Sequence, residues 1–313
     1  MRKFYIFTLA VLVSVIGFAN TGSCDFSGND AGKAGAQFLK IGVGARAIGM
    51  GEAYGAVSND ANAVYWNPAG LNQIEGKEVS FMHAMWLEAI SYENLVYVQP
   101  TKCCVIGGAI NYLAVGKIDK YDNSGTPLNE TFSPSDMAVT LSFAKKYHNV
   151  PVGMNIKYIS STIDDKSPSA FAIDLGVMKK FKNDKLTVGI VLQNLGTKMK
   201  FITQEDPLPM NIKIASAYNL MLKNKPMLIA LDLNAPIDNE LRVNFGVEYK
   251  LGIGETMSLS PRIGYKTNTK GLTGTAGLSI GFGFILDSYG IDYAWVPFGD
   301  LGDTHRVSLN IKF

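Results

Sequence analysis

The feature that most constrains this chain is a repeated alternation of apolar and polar residues over segments of about ten residues. Residues 241–251 read LRVNFGVEYKL, which places the apolar side chains on one face of an extended strand and Arg242 and Glu248 on the other. Residues 152–158 and 227–234 show the same pattern. Because successive side chains point to opposite faces of a strand, these segments predict β-strands with one apolar face.

The length of the segments separates two all-β folds that both alternate. Strands of a soluble sandwich are usually about 5–6 residues long, whereas those of a transmembrane barrel are about ten. The segments therefore predict a transmembrane antiparallel β-barrel over residues 78–313. Alternation and turn residues give about fourteen strands, with tight turns at one end and the two longest loops, 115–134 and 196–209, at the other. The predicted spans are 78–87, 92–99, 103–114, 136–147, 150–163, 169–181, 185–195, 210–221, 226–235, 240–251, 256–266, 272–283, 286–296 and 304–313.

The first residues have the composition of a secretory signal peptide. Arg2 and Lys3 precede an apolar run over 4–18, and small and polar residues follow it. This run is shorter than the roughly 20 residues of a membrane-spanning helix. Residues 1–24 are therefore predicted to be a signal peptide. Cys24 follows this peptide, but the residues before it, Thr21-Gly22-Ser23, lack the aliphatic residue usual before a lipidated cysteine.

A glycine-rich stretch, 42–71, precedes the first strand. Its first five glycines disfavour both a helix and a strand, because glycine loses the most backbone freedom when ordered. A short helix is predicted from Asn59 or Asp60, either of which can cap it, to about Tyr65. We therefore predict that residues 25–77 form a compact, irregular element inside the lumen of the barrel, which we call the hatch.

Two motifs near the two ends of the mature chain resemble those of one family. The first contains Arg46, GMG at 49–51, Ala53, Asp60, Ala63 and WNPAGL at 66–71, and the second contains DYA at 292–294, PFGDLG at 297–302 and THR at 304–306. They resemble the PorV/PorQ family, which belongs to the FadL-type outer-membrane barrels. The resemblance implies a barrel integral to the bacterial outer membrane, with the Asn-Pro-Ala element in its hatch.

The resemblance implies two kinds of function. Some FadL-type proteins pass long-chain fatty acids or other hydrophobic small molecules, which predicts a channel for passive uptake. PorV-like members serve a protein secretion system, which predicts the alternative: an outer-membrane component of a type IX-like system that binds secreted protein clients. Either role implies outer-membrane lipid around the barrel and the barrel-assembly machinery as a partner during insertion.

The hatch carries the residues predicted to form a gate. They are Arg46, Gly49, Gly51, Asp60, Trp66, Asn67, Pro68 and Ala69. In one interpretation, Arg46 and Asp60 hold the hatch through polar contacts to lumen residues such as Arg242, Glu248 or Asp292. In the other, these charges point inward only because a lipid-facing charge costs about 2–4 kcal/mol at the bilayer midplane. The glycines are predicted to lie where no Cβ fits.

The last nine residues, HRVSLNIKF, read as a strand with one apolar face. Val307, Leu309, Ile311 and Phe313 share this face. A final strand that ends in an aromatic residue resembles the signal by which the barrel-assembly machinery recognises its clients. These four residues are therefore predicted to form the assembly signal.

No constellation of catalytic residues is recognisable, so the chain is not predicted to be an enzyme. His83, His148 and His305 are far apart, and none has the spacing of a metal ligand. The segment GVGARA matches a loose dinucleotide fingerprint but lacks the βαβ context. We therefore predict no metal, no cofactor and no nucleic acid. Cys103 and Cys104, placed in one strand, are predicted to point to opposite faces, which offers no disulfide framework.

Overall fold

The computed structural model describes residues 31–88, 90–181, 184–267 and 274–313. The predicted signal peptide and the cysteine at its end lie outside these residues. Most of the described chain after residue 77 is β-structure. In chain order the strands are β1 (Glu78–Met85), β2 (Ile90–Pro100), β3 (Val105–Val115), β4 (Ile118–Tyr121), β5 (Pro127–Phe132), β6 (Ser135–Tyr147), β7 (Val150–Thr162), β8 (Ser169–Phe181), β9 (Leu186–Gly196), β10 (Met199–Lys200), β11 (Glu205–Asp206), β12 (Asn211–Leu222), β13 (Lys225–Pro236), β14 (Arg242–Tyr249), β15 (Leu251–Ile253), β16 (Met257–Lys266), β17 (Leu278–Leu286), β18 (Tyr289–Pro297) and β19 (Asp303–Lys312).

Fifteen of these strands form one antiparallel sheet that closes on itself. β1 pairs with β2 on one side and with β19 on the other, from Glu78 opposite Lys312 to Met85 opposite His305. β14 and β15 both pair with β16 and are two parts of one strand, interrupted at Lys250. The barrel therefore has fourteen strands, which confirms the predicted fold. Closure pairs every wall strand on both sides, as a sheet in lipid requires.

The two faces of the wall have opposite chemistry. Large apolar side chains such as Phe81, Leu95 and Ile110 are exposed on the outside. Polar side chains such as Asn94 and Asp232 point inward and are buried. An outer-membrane barrel needs this arrangement, because lipid surrounds the outer face and the lumen is polar.

The connections differ between the two ends of the barrel. At the short-turn end, β6 and β7 are joined by His148 and Asn149 with φ of 46° and 63°, and β12 and β13 by Lys223 and Asn224 with φ of 49° and 59°. Two successive positive φ angles define a type I′ turn, whose twist matches that of the flanking strands. At the long-loop end, β4 pairs with β5 and β10 pairs with β11 as separate small sheets. Short turns face the periplasm in bacterial barrels, which orients the molecule.

The described part of the hatch consists of short helices joined by irregular segments. They are Gln37–Lys40, Ala45–Gly49, Ala63–Trp66 and Pro68–Gln73. The third begins at Ala63 rather than at Asn59 or Asp60, although the Asp60 Oδ1 accepts the Asn62 N–H at 3.1 Å and caps the turn that leads into this helix. It ends before Asn67, whose extended φ of −163° is the conformation favoured before proline. No helix in the described ranges is long and apolar enough to cross a membrane.

The prediction that the adjacent cysteines point to opposite faces of a strand is wrong, while both of them are free thiols as expected. β3 begins at Val105, so Cys103 and Cys104 lie in the turn before it rather than in the strand. Their Sγ atoms are 3.3 Å apart on the same side of the backbone. The alternation of a strand does not apply in a turn, and the two thiols converge.

Candidate functional site: the hatch and the inner wall

The two predicted gate glycines lie where the hatch meets the wall at β16 and β17. A Cβ at Gly51 would lie 2.6 Å from the backbone nitrogen of Tyr265, and the φ of Gly51 is +64°, which favours glycine. A Cβ at Gly49 would lie 3.0 Å from the Cα of Gly281. In both places the obstacle is backbone, which cannot move aside as a flexible side chain can.

The Asn-Pro-Ala element joins the hatch to the wall nearly across the barrel. The Asn67 Oδ1 accepts the Ala69 N–H at 3.0 Å and caps the helix that Pro68 begins, while its Nδ2 donates to the Gly55 carbonyl at 2.7 Å. A Cβ at Gly153 of β7 would overlap the backbone of Pro68. The hatch therefore crosses the interior from β7 to β16.

Arg46 binds one carboxylate of the hatch and one of the wall. Its guanidinium donates to both oxygens of Glu248 at 2.8 and 2.9 Å and to Asp60 at 3.1 Å. Arg262 donates to Glu248 and to Asp292, each at 2.6 Å. These charge-assisted bonds form a continuous chain of alternating charge from the hatch through β14 and β16 to β18.

A second group of charges surrounds Glu52 of the hatch. Its carboxylate lies 2.7 Å from the Lys266 Nζ and 3.5 Å from the Arg242 guanidinium. Burial alone raises the pKa of Glu52, but the charges of Lys266 and Arg242 outweigh burial and lower this pKa to about 2. Arg242, expected near Arg46 or Asp60, thus contacts a different hatch residue.

Trp66 lies beside a buried ion pair of the wall. The Lys213 Nζ is 4.5 Å from the centre of its ring, and the indole N–H donates to the Val43 carbonyl at 2.9 Å. Lys213 lies 3.5 Å from Asp232, which also accepts the Tyr54 N–H at 3.0 Å. Removing either charge of such a pair would leave the other buried and unpaired, which is strongly destabilising.

Sequence reasoning placed Arg306 in the second family motif but gave it no role, and the structure buries it to 1% exposure. Its guanidinium lies 4.9 Å from the centre of the Trp86 ring, and none of its nitrogens hydrogen-bonds to any described residue. Sequence reasoning also missed the buried ion pair of Lys157 and Asp174, whose charged atoms are 2.7 Å apart. The alternation places all of these on the inward face, but the register that pairs them is not a local property of the sequence.

Cavities lie beside the hatch at both ends of the barrel. One of about 100 Å³ lies toward the long-loop end, between Tyr65, Trp66 and Arg242. Another, of about 210 Å³, lies toward the short-turn end, between Arg46 and Lys312. Charged and amide side chains line both. Small-molecule sites are usually mostly apolar and about 300–1,000 Å³ in volume, so both cavities are smaller than a typical site.

The predicted assembly signal lies on and just after β19, the strand that closes the barrel. Val307, Leu309 and Phe313 are exposed, and Ile311 is partly exposed. β19 pairs with β18 on one side and with β1 on the other. The apolar face of this strand therefore faces outward, toward lipid.

A closed fourteen-stranded barrel, apolar outside and polar inside, is an integral protein of the bacterial outer membrane with the FadL type of fold. Residues 28–239 match the family model of the type IX secretion system protein PorV. The chain belongs to that family, which confirms the predicted resemblance. No curated protein matches the chain in sequence.

Solved structures share the fold at low sequence identity. The toluene transporter TbuX of Ralstonia pickettii superposes with a TM-score of 0.59 at 11% identity, covering 87% of this chain and 98% of that one. The toluene transporter TodX of Pseudomonas putida gives 0.57 at 10%, covering 86% and 96%. A FadL homologue of Pseudomonas aeruginosa gives 0.53 at 11%, covering 85% and 97%. At this identity the likeness concerns the fold alone. None of the three is named as an enzyme.

Proposed function

We propose that this protein is a plugged outer-membrane barrel that binds a secreted protein at its long-loop end, as a component of a type IX-like secretion system. The hairpin of β4 and β5 carries the proposal. Tyr121 is 60% exposed and Leu128 49%, so apolar side chains face solvent beyond the wall. Neither outer edge of the hairpin pairs with another described strand, which leaves backbone N–H and C=O groups available to a strand of a partner.

The hairpin is tied to the barrel and does not rest on its own pairing alone. The Lys120 Nζ lies 2.6 Å from Asp164, in the loop between β7 and β8. At the tip, the Asp122 carboxylate accepts the N–H groups of Ser124 and Thr126, each at 2.8 Å. These contacts hold the apolar side chains in a defined position, which lowers the entropy cost of binding.

The filled interior of the barrel favours binding at its long-loop end over passage through the lumen. The hatch crosses the lumen, ion pairs bind it to the wall, and the remaining cavities are small and have charged linings. Binding at the long loops needs no open lumen, whereas passage through the barrel needs the hatch to move. The family model is also that of a secretion-system protein.

The second candidate is passive passage of hydrophobic small molecules. The likeness of fold to two toluene transporters favours it. Leu39, Tyr65 and Trp66 also give the cavity at the long-loop end an apolar side. This function requires the contact between Arg46 and Glu248 to break during passage, because that contact binds the hatch to the wall.

A pull-down from native cells tests the first candidate. We would compare a tagged parent with a double variant, Tyr121→Ser with Leu128→Ser, and with a control, Ile202→Ser, which changes a residue that is 74% exposed in the other long loop. The expected result is an exported protein that co-purifies with the parent and the control but not with the double variant. Equal recovery with the double variant would exclude the hairpin as the binding site.

Reconstitution tests the second candidate. The purified parent in liposomes would be supplied with a fluorescent fatty acid, and bound lipids would be identified by mass spectrometry. Passage faster than in protein-free liposomes, together with no co-purifying protein, would favour the channel and reject the secretion role.

A further inference from the structure

The turn between β2 and β3 brings two adjacent thiols together at the short-turn end. Cys103 is exposed and Cys104 is partly exposed. Their Sγ atoms are 3.3 Å apart, and the Thr101 hydroxyl lies 3.5 Å from each of them. The same hydroxyl donates to the Cys104 carbonyl at 2.7 Å, and the Thr101 N–H donates to that carbonyl at 2.8 Å. The turn therefore holds both thiols on one side and open to solvent.

The surroundings favour a reactive thiolate. The pKa of Cys103 lies below its usual range because of its contacts with the Thr101 hydroxyl and then with the Cys104 thiol, and the charge of Lys145 acts in the same direction. The thiolate is the nucleophile in thiol–disulfide exchange. The short-turn end faces the periplasm, where disulfides form and persist.

We propose that Cys103 and Cys104 are a redox-active pair that cycles between a dithiol and an intramolecular disulfide, by exchange with a dithiol–disulfide oxidoreductase of the periplasm. Such a pair would be a site of thiol exchange in addition to any role of the long loops. It uses no residue of the hatch, the lumen or the hairpin.

The exchange balances without any further reactant. The Cys103 thiolate attacks the disulfide of the oxidoreductase, forming a mixed disulfide and releasing one thiolate of that protein. The Cys104 thiolate then attacks the Cys103 Sγ, forming the intramolecular bond and releasing the second thiolate. This chain loses two electrons and two protons, and the oxidoreductase gains the two electrons. The reverse steps reopen the ring.

Adjacency predicts that this disulfide is easily reduced. Consecutive Cα atoms are about 3.8 Å apart, below the roughly 4.4–6.8 Å usual for disulfides. A bond formed outside the preferred geometry is more reducible, and exposed, strained disulfides are the labile ones. The barrel is already closed by strand pairing, so the bond is not needed to hold the wall together.

The test uses the full chain in detergent, with oxidised glutathione as the probe. Every variant carries Cys24→Ser, because the third cysteine lies outside the described residues. After reduction and exposure to oxidised glutathione, we expect the parent background to lose the mass of two hydrogen atoms and to carry no glutathione. Cys103→Ser and Cys104→Ser should each retain one bound glutathione, because neither has a second thiol to displace it. Reduced glutathione should then reopen the ring of the parent.

A second reagent tests whether the two thiols lie close enough to be bridged. Phenylarsine oxide, which bridges two thiols, should protect both cysteines of the parent from a maleimide and leave either single variant reactive. Heat-modifiable gel mobility would verify that each variant is folded. A parent that carries bound glutathione and no intramolecular disulfide would overturn the proposal. So would a parent whose thiols do not react at all.

Discussion

Single residues determine how closely the hatch can approach the wall, and two glycines with opposite surroundings test this. A Cβ at Gly51 would lie 2.6 Å from the Tyr265 nitrogen, whereas nothing lies within 4 Å of one at Gly252. We expect Gly51→Val to destabilise the protein by about 1–3 kcal/mol, through overlap and a strained φ. Gly252→Val should unfold as the parent does. Equal urea midpoints for the two variants would contradict this close approach.

The ion pair of Arg46 and Glu248 also contributes to stability, and a substitution of Glu248 tests this contribution. Glu248→Gln leaves the guanidiniums of Arg46 and Arg262 without their shared carboxylate in a buried site. We expect a loss of about 3–5 kcal/mol in the free energy of unfolding, as for other broken buried pairs. The control, Asp165→Asn, removes one partner of an exposed pair with Lys166 and should have no measurable effect. Urea unfolding in detergent measures both.

The pH dependence of stability tests the group of charges around Glu52. Its pKa of about 2 in the folded protein lies below the ordinary value of 4.5. The ionised carboxylate therefore stabilises the fold above pH 4.5, and this contribution is lost as the pH falls toward 2. We expect Glu52→Gln to be less stable than the parent at neutral pH, with a difference that narrows below pH 4.5. The control, Glu255→Gln, changes a residue in an exposed turn and should be as stable as the parent at neutral pH. If the stability difference between Glu52→Gln and the parent did not change with pH, ionisation of Glu52 would not be its cause.

The strands of the wall could be predicted well, because a local alternation of residues encodes each of them. The alternation predicts a strand over 150–163, and β7 spans Val150–Thr162. β17 begins at Leu278 rather than at the predicted residue 272. Gly274 and Gly277, just before it, adopt positive φ, which is incompatible with an extended strand. Contacts with the hatch are not a local pattern, so the sequence named Glu248 only as one of three candidate partners of Arg46 and Asp60. Arg46 and Glu248 are 202 residues apart in sequence, and only barrel closure and strand register bring them together.

The last strand is the element whose loss the fold should tolerate least. β19 pairs with both β18 and β1, so removing residues 307–313 deprives two strands of partners. Unpaired backbone groups cost several kcal/mol each in hydrocarbon, so we expect no folded barrel in the membrane fraction. A matched control removes residues 118–132 of the projecting hairpin and should insert normally. Insertion of the strand truncation with heat-modifiable mobility would contradict this dependence on closure.

The wall and the hatch differ in how each of them is stabilised. The wall pairs its own backbone groups throughout the closed sheet, whereas the hatch is held by side chains and by close approach to glycines of the wall. The wall therefore has what it needs to persist without the hatch, since a membrane barrel depends on closed strand pairing. The described part of the hatch has no comparable support of its own, because its helices are at most six residues long.

Deleting residues 31–70 tests whether the hatch occludes the lumen. The wall should still insert, because its ladder hydrogen bonds are intact. The lumen should become leaky to small sugars, since a barrel of this size needs something to fill it. Liposome swelling measures the leak, and Glu248→Gln, which loosens the hatch without removing it, should fall between the parent and the deletion. An inserted deletion variant that stays as tight as the parent would show that the hatch does not block the lumen, and the long-loop end would then have to provide the barrier.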